Sequence, residues 1–342
     1  MKLPRIFTAT HGVSRALLIV GLVLTVGFVL VAILAPWVAP YHFADYASAE
    51  GDRFPRLAAP GGEYPLGTTV QSLDVLSRVI WGAQTALKVV LLAVAFSVAV
   101  GVPLGLVSGY VSGRVDRVLV LVMDAIYAFP SLLLAIVISF MMREALGGGV
   151  MAAAIAIAFV YIPQYFRVVR TAALSAREAT YVEAAKAIGA RPISIMTRYM
   201  FANVTQSVPV IMTLNAADAI LTLAGLGFLG YGVDANEAAE WGYDLQRSLS
   251  DVGVGIWWTA FFPGLALVGF VLGLTLLGEA VNEALNPTLQ LPRRYPVVFP
   301  KRSGSRVDPV SDPESATVPA SPADGDGVID DPQTIQTGRR PL

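Results

Sequence analysis

Thr180-Tyr-Val-Glu183-Ala-Ala-Lys-Ala-Ile-Gly189-Ala-Arg-Pro192 is a polar, alanine-rich stretch between long apolar blocks. Thr180 and Glu183 have the spacing of a capping box, with Thr180 at N-cap and Glu183 at N3. Val182, Ala185 and Ile188 recur at helical spacing and predict one apolar face. Gly189 is expected to stop this helix, and Pro192 to open another at its first turn. So short a helix is marginal alone and needs a surface to pack on.

Composition says what surrounds the stretch. The chain has 342 residues, 55% hydrophobic and 14% charged, with a mean hydropathy of +0.63. Soluble domains carry about 25% charge, so the expected class is an all-α polytopic membrane protein. A net charge of −1 suggests no nucleic-acid partner. The absence of cysteine excludes disulfides and thiolate chemistry. His11 and His42 lie in different regions, and Asp324–Asp331 lacks the ligand pattern and closing Glu of a calcium loop. No metal or other cofactor is expected. No phosphate loop of the G-x-x-x-x-G-K-[ST] type occurs.

Residues 1–16 carry Lys2, Arg5 and Arg15 ahead of the uncharged run Leu17–Ala35, long enough for a hydrocarbon core of about 30 Å. A cleaved signal peptide is the competing reading. Its apolar core usually spans about 7–15 residues, so a retained anchor over 17–37 is expected. Residues 38–85 read as a partly ordered extracytoplasmic segment leading into a short amphipathic helix from about Leu73. Five further spans follow in a core over 86–290: Val89–Val107, bent near Pro103; Val118–Phe140, with Asp124 and Pro130; Val150–Phe166, with Pro163; Val208–Leu229, with Asn215 and Asp218; and Ile256–Leu277, with Pro263. Six spans in all are expected. From 291 to 342 the chain turns polar and is expected to be a disordered cytoplasmic tail.

Lys and Arg set the orientation. With the N-terminus inside, the inner segments before the tail hold eleven, including Arg167, Arg170, Arg177, Lys186, Arg191 and Arg198, against five outside. Both termini and the loop 167–203 are therefore expected in the cytoplasm.

Here the residues carry a family resemblance. Glu183-Ala184-Ala185-x-x-x-Gly189, in a cytoplasmic loop before the penultimate span, resembles the EAA motif of ABC importer permeases. Pro65-Leu-Gly-Thr with Asp74-Val-Leu-Ser-Arg78, Pro103-Leu-Gly-Leu, Gly113-Arg-Val-Asp-Arg117, Phe129-Pro-Ser-Leu-Leu-Leu-Ala135, Phe228-Leu-Gly-x-Gly232, Trp241-Gly242, Phe262-Pro-Gly264 and Asn286-Pro287 resemble its dipeptide, oligopeptide and nickel branch, in order, over about 15 to 292. The resemblance implies a type I ABC importer permease fold, a second permease subunit, cytoplasmic ATPase subunits and an extracytoplasmic substrate-binding protein. It assigns Glu183, Ala184, Ala185, Gly189 and Arg191 to coupling with the ATPase, which would be the surface the short helix needs. Some positions depart from the branch. Tyr199 and Ala202 replace a usual His and Pro, so the following helix is expected to run straighter. Leu223 stands for a usual Glu, Gly227 for a usual Ser, and Ser72 and Leu73 for a usual Gly-Arg.

Glu183 has a purely local reading as a helix cap, compatible with a docking role. Gly189 has one as a left-handed C-cap. Asp124 and Asp218 are ionisable groups within spans and should face the bundle interior or a water-filled path. Asn215, three residues before Asp218, is expected on the same face. Each of the two carboxylates could instead serve a structural ion pair. Trp241, Trp257 and Trp258 read as an interfacial belt, and Glu279 and Glu283 as a solvated face. The function expected is a non-enzymatic permease that moves peptides or related solutes by alternating access. A sugar or metal-chelate cargo remains open, as does an ion-coupled secondary transporter. The latter commonly has repeated halves, and none is visible here.

Overall fold

A computed structural model describes residues 13–48, 51–147 and 149–285. The basic residues Lys2 and Arg5, the Asn286-Pro287 motif and the segment 291–342 lie outside them. The described chain folds into helices joined by loops: α1 (Val13–Val38), α2 (Val75–Val111), α3 (Gly113–Tyr127), α4 (Ser131–Leu146), α5 (Gly149–Arg177), α6 (Thr180–Ala187), α7 (Val208–Phe228), α8 (Trp241–Gly253) and α9 (Trp258–Leu285). Short helical turns fill 192–204. No strand is present among the described residues, which show only isolated bridges such as Ala47 to Arg53.

Among the described residues five helices are long and apolar enough to cross a membrane, and six spans result when α3 and α4 count as one. The third span, expected over Val118–Phe140 with Pro130 inside it, is a broken one that runs from Gly113 to Leu146. It breaks between Tyr127 and Ser131, and its halves meet at 95°. Pro130 causes the break: it sits in extended conformation (φ −56°, ψ 126°) and, lacking an N–H, cannot continue the ladder of α3. The second span also differs. The amphipathic helix expected near Leu73 is the first part of α2, which runs 37 residues without interruption through Pro103. Asp74 starts it at N-cap, where its Oδ2 accepts the Ser77 amide at 2.7 Å.

The core is the α2–α5 pair. Gly101, Gly105 and Gly109 recur every four residues along one face of α2 and let the two backbones approach. A Cβ on Gly105 would lie 2.6 Å from the Phe166 carbonyl oxygen, and one on Gly101 2.8 Å from that of Ile162. Such small-residue rows drive helix association in membranes, where packing and not water exclusion supplies the attraction. Ala154, Ala158 and Ala173 of α5 are buried in this core. α1 packs on α9 and leaves Val23, Leu30 and Ile33 exposed as an apolar outer surface, suited to lipid.

Residues 39–48 and 51–74 form a folded strap, more ordered than expected. Thr68 Oγ1 donates to the Pro55 carbonyl at 2.5 Å and accepts the Ala58 amide at 2.8 Å. Trp258 donates to Thr68 O at 3.2 Å, and Trp81 to Tyr41 O at 3.1 Å. Two of the three tryptophans expected at an interface are thus structural. Trp258 pins the strap, and Trp241 is buried (2% exposed), its indole against Gly82 and donating to Val79 O at 3.1 Å. Trp257 is 53% exposed and fits the interfacial reading.

Candidate functional site

The connection between α5 and α7 holds the expected coupling residues. α5 runs on to Arg177, so Arg167, Arg170 and Arg177 belong to a helix and not to a loop. α6 begins one residue earlier than the capping-box reading requires. Ala179 is the N-cap, in extended conformation, and Thr180 is the first helical residue. The box is therefore not formed: the helix start carries no side-chain cap, and the amides of Val182 and Glu183 bond the Ala179 carbonyl at 2.9 and 3.2 Å.

Val182 and Ala185 are buried in one core with Ile195 and Met200, so the surface this short helix needs comes from its own chain and not, as expected, from an ATPase, and Ala185 is not open to a partner. Ile188 is not; it is 78% exposed. It stands at the C-cap, where the chain leaves the helical path. Gly189 follows at φ +79°, and the Gly189 and Ala190 amides close on the carbonyls of Lys186 (2.9 Å) and Ala185 (3.0 Å). That is a Schellman ending, which needs a residue free of the left-handed penalty. Arg191 then caps a turn with Pro192 at its first position. The result is an outward ridge of Glu183, Ala184, Ile188 and Arg191 over a buried base that includes Ala185. Among the described residues the Glu183 and Arg191 side chains have no hydrogen-bonding or ionic partner.

Beyond it the chain does not straighten at Tyr199 and Ala202. Ile195–Met200 is wound as a π-helix and Phe201–Val204 as one α turn, before a break ahead of α7. π-Wound turns occur often at functional sites.

Three carboxylates on α3 and α7 meet side chains of α5. Asp116 accepts both Arg170 Nε and Nη2 at 2.6 and 2.8 Å, and Ser108 Oγ at 2.6 Å. Asp124 takes the ion-pair alternative: Arg167 Nη2 lies 2.7 Å from Oδ1, with its guanidinium 4.0 Å above the Tyr127 ring. Asp218 accepts the Tyr161 hydroxyl at 2.7 Å and lines a recess of about 310 Å³ with Ile126, Tyr127, Phe129, Ser131, Gln164 and others. Asn215 is buried while Asp218 is exposed. Neither Asn215 nor Asp124 lines the recess.

Residues 101–291 match the family model described as binding-protein-dependent transport system inner membrane component. Residues 14–60 match that of the N-terminal membrane domain of oligopeptide transport permease C. The chain belongs to the binding-protein-dependent inner-membrane transport family. The dipeptide transport system permease protein DppC of Escherichia coli K12 is 41% identical over 281 residues, covering 80% of this chain and 89% of that protein. A Brucella suis protein bearing a peptide transport system permease name is 36% identical over 290 residues, covering 85% of this chain and 94% of the relative. Among solved structures, a chain of the inward-facing MetNI methionine ABC transporter superposes with TM-score 0.51 at 17% identity, over 61% of this chain and 96% of that one. The type I importer permease fold and a multi-pass inner-membrane transport subunit are thereby shown.

At the end of this inner-membrane component opposite α6, the sequence reading missed a buried ionic group. Arg78 of α2 and Asp244 of α8 lie 166 residues apart, joined Nε to Oδ1 at 2.7 Å and 3% and 10% exposed. Arg78 Nη1 also holds Phe43 O of the strap at 3.0 Å. Burial, outweighing that guanidinium, pushes the Asp244 carboxyl up. Glu240 caps α8, accepting the Gly242 and Tyr243 amides at 2.8 Å each. Burial raises its carboxyl to about 8, against the opposing pull of those amides. The only signal for Glu240 in the sequence is a carboxylate before Trp241-Gly242 at a helix start. Gly227, usually Ser in the branch, makes room for it: a Cβ there would overlap Glu240 Oε2.

The sign of the pH effect follows. The folded protein holds the Glu240 proton more tightly than the unfolded chain, whose carboxyl titrates near 4.5. Its contribution to stability is therefore full at and below that pH and is lost as pH rises towards about 8. The melting temperature of the solubilised protein should fall across this window, and Glu240→Gln should flatten the fall while costing a few degrees through its lost cap bond. An unchanged slope in Glu240→Gln would assign the pH dependence to other groups.

Proposed function

We propose that the chain is the transmembrane permease subunit of an ATP-driven importer of peptides or related solutes, working by alternating access. It performs no covalent chemistry. ATP is hydrolysed by separate ABC subunits on the cytoplasmic side, a second permease completes the membrane pathway as a heterodimer, and an extracytoplasmic binding protein delivers cargo. Both termini and α6 face the cytoplasm, in keeping with the Lys and Arg bias; the strap and α8 face outwards. The peptide cargo rests on the names of the relatives at 36–41% identity.

The observation that carries this reading is the form of α6. It is a glycine-terminated lever whose base packs into the bundle core through Val182 and Ala185, while Glu183, Ala184, Ile188 and Arg191 stand free. A surface pressing on that ridge would move the π-wound turn and then α7, which carries Asp218.

Glu183→Ala is the direct test. Since Glu183 caps nothing, the variant should melt within about 0.5 kcal/mol of wild type. It should nonetheless recover less ATPase on co-purification and import more slowly. Normal ATPase recovery together with normal ATP-coupled uptake would sink the coupling role.

A further inference from the structure

We infer that the recess at Asp218 takes the amino-terminal ammonium of the cargo as it crosses the membrane, an inference that rests on reading the chain as a peptide permease. The carboxylates of this one bundle differ in their surroundings. An ionisable side chain at membrane depth needs an opposite charge or a wet cavity. Asp116 has Arg170 at 2.6 Å and Asp124 has Arg167 at 2.7 Å. Asp218 has no cation among the described residues.

Its single side-chain partner is the hydroxyl of Tyr161, which is 1% exposed and also touches Thr222 Oγ1 at 3.2 Å. Tyr161 therefore fixes Asp218 Oδ2 and leaves Oδ1 without a side-chain partner among the described residues. Asp218 is also the central residue of α7, ten residues from Val208 and ten from Phe228. That is about 15 Å from either end at 1.5 Å per residue, the depth at which transporters hold their cargo.

The recess walls suit the rest of a short peptide. Gln164 and Ser131 offer neutral polar groups for a peptide backbone, and Phe129 offers a ring that attracts an ammonium. Arg167, stacked on Tyr127, is already neutralised by Asp124 and does not oppose a cation. A volume of about 310 Å³ falls at the small end of ligand sites, about 300–1,000 Å³. It fits one terminus and its neighbouring residue better than a long chain.

The test uses the complete importer in lipid nanodiscs without its binding protein, so that recognition by that subunit cannot intervene. Three photoactivatable probes are applied at millimolar concentration: a free-amine dipeptide, its N-acetyl form, and a primary amine with no peptide bond. Labelled sites on this chain are mapped by mass spectrometry. The free-amine dipeptide should label residues in 126–134 and 160–164, and N-acetylation should cut that labelling about tenfold, the scale of one charge-assisted hydrogen bond. Asp218→Asn should cut it as far, and Asp218→Glu should restore most of it. Equal labelling by both dipeptides overturns the ammonium site and leaves the peptide reading standing. Labelling by the simple amine but by neither dipeptide supports the ammonium site and overturns the peptide reading. No labelling by any probe, or loss of the second permease from the Asp218→Asn complex, overturns the inference, the latter because the counter-charge would then come from the partner subunit.

Discussion

Gly105→Leu is expected to destabilise the folded bundle severely. Even a methyl group at this position would meet the Phe166 carbonyl oxygen at 2.6 Å and Val169 Cβ at 3.1 Å. A backbone carbonyl cannot rotate away as a side chain can, so α2 and α5 would have to separate along the Gly101–Gly109 face. Overpacking a core usually costs about 1–3 kcal/mol, and here the whole helix pair must move, which places the cost at or beyond the upper end. Against a total stability of roughly 5–15 kcal/mol, that should appear as aggregated or degraded protein on size-exclusion chromatography. Gly27→Leu is the control, since a Cβ there meets nothing within 4 Å; it should behave as wild type. A monodisperse Gly105→Leu protein with an unchanged melting temperature would show that the glycine row does not hold the pair together.

Ile188→Asp is expected to leave the bundle intact and to disconnect it from its energy source. The side chain is 78% exposed at the C-cap of α6, so the permease alone loses no packing and should melt as wild type does. Burying an isoleucine contributes about 1.5–3 kcal/mol, or roughly 10–150-fold in an association constant, and a carboxylate in the same apolar socket adds a desolvation cost. ATPase co-purification and ATP-driven uptake should therefore fall at least tenfold together. Uptake within twofold of wild type would place the docking surface elsewhere.

The sequence carried the long-range plan of the fold because lipid imposes it. Apolar blocks of spanning length are visible without partners, and so are the Gly189 stop and the Pro192 restart, which are local backbone chemistry. Hidden features depend on contacts between distant residues. Pro130 is plain to read, yet apolar residues continue on both sides and mask a 95° break. Thr180 and Glu183 have the spacing of a capping box, but the turn at Ala176–Ala179 that ends α5 starts α6 one residue too early to use it. Trp241 looks interfacial until Gly82, 159 positions away on another helix, leaves it room to bury. The Arg78–Asp244 pair is likewise invisible to any local window. Of the site residues, Asp218 was legible as an intramembrane charge. Its isolation from cations was not, because that is a property of α3 and α5 as much as of α7.

The broken span also bears on how the chain enters the bilayer. α3 has 15 residues and α4 has 16, about 22–24 Å each at 1.5 Å per residue, too short for either to cross a hydrocarbon core of about 30 Å by itself. α3 moreover brings Asp116 and Asp124, whose neutralising arginines lie 54 and 43 residues downstream on α5. At a synthesis rate of about 5–20 residues per second, these carboxylates wait several seconds for their counter-charges. The third span is therefore expected to settle in the bilayer only once α5 has been made and its arginines have reached Asp116 and Asp124.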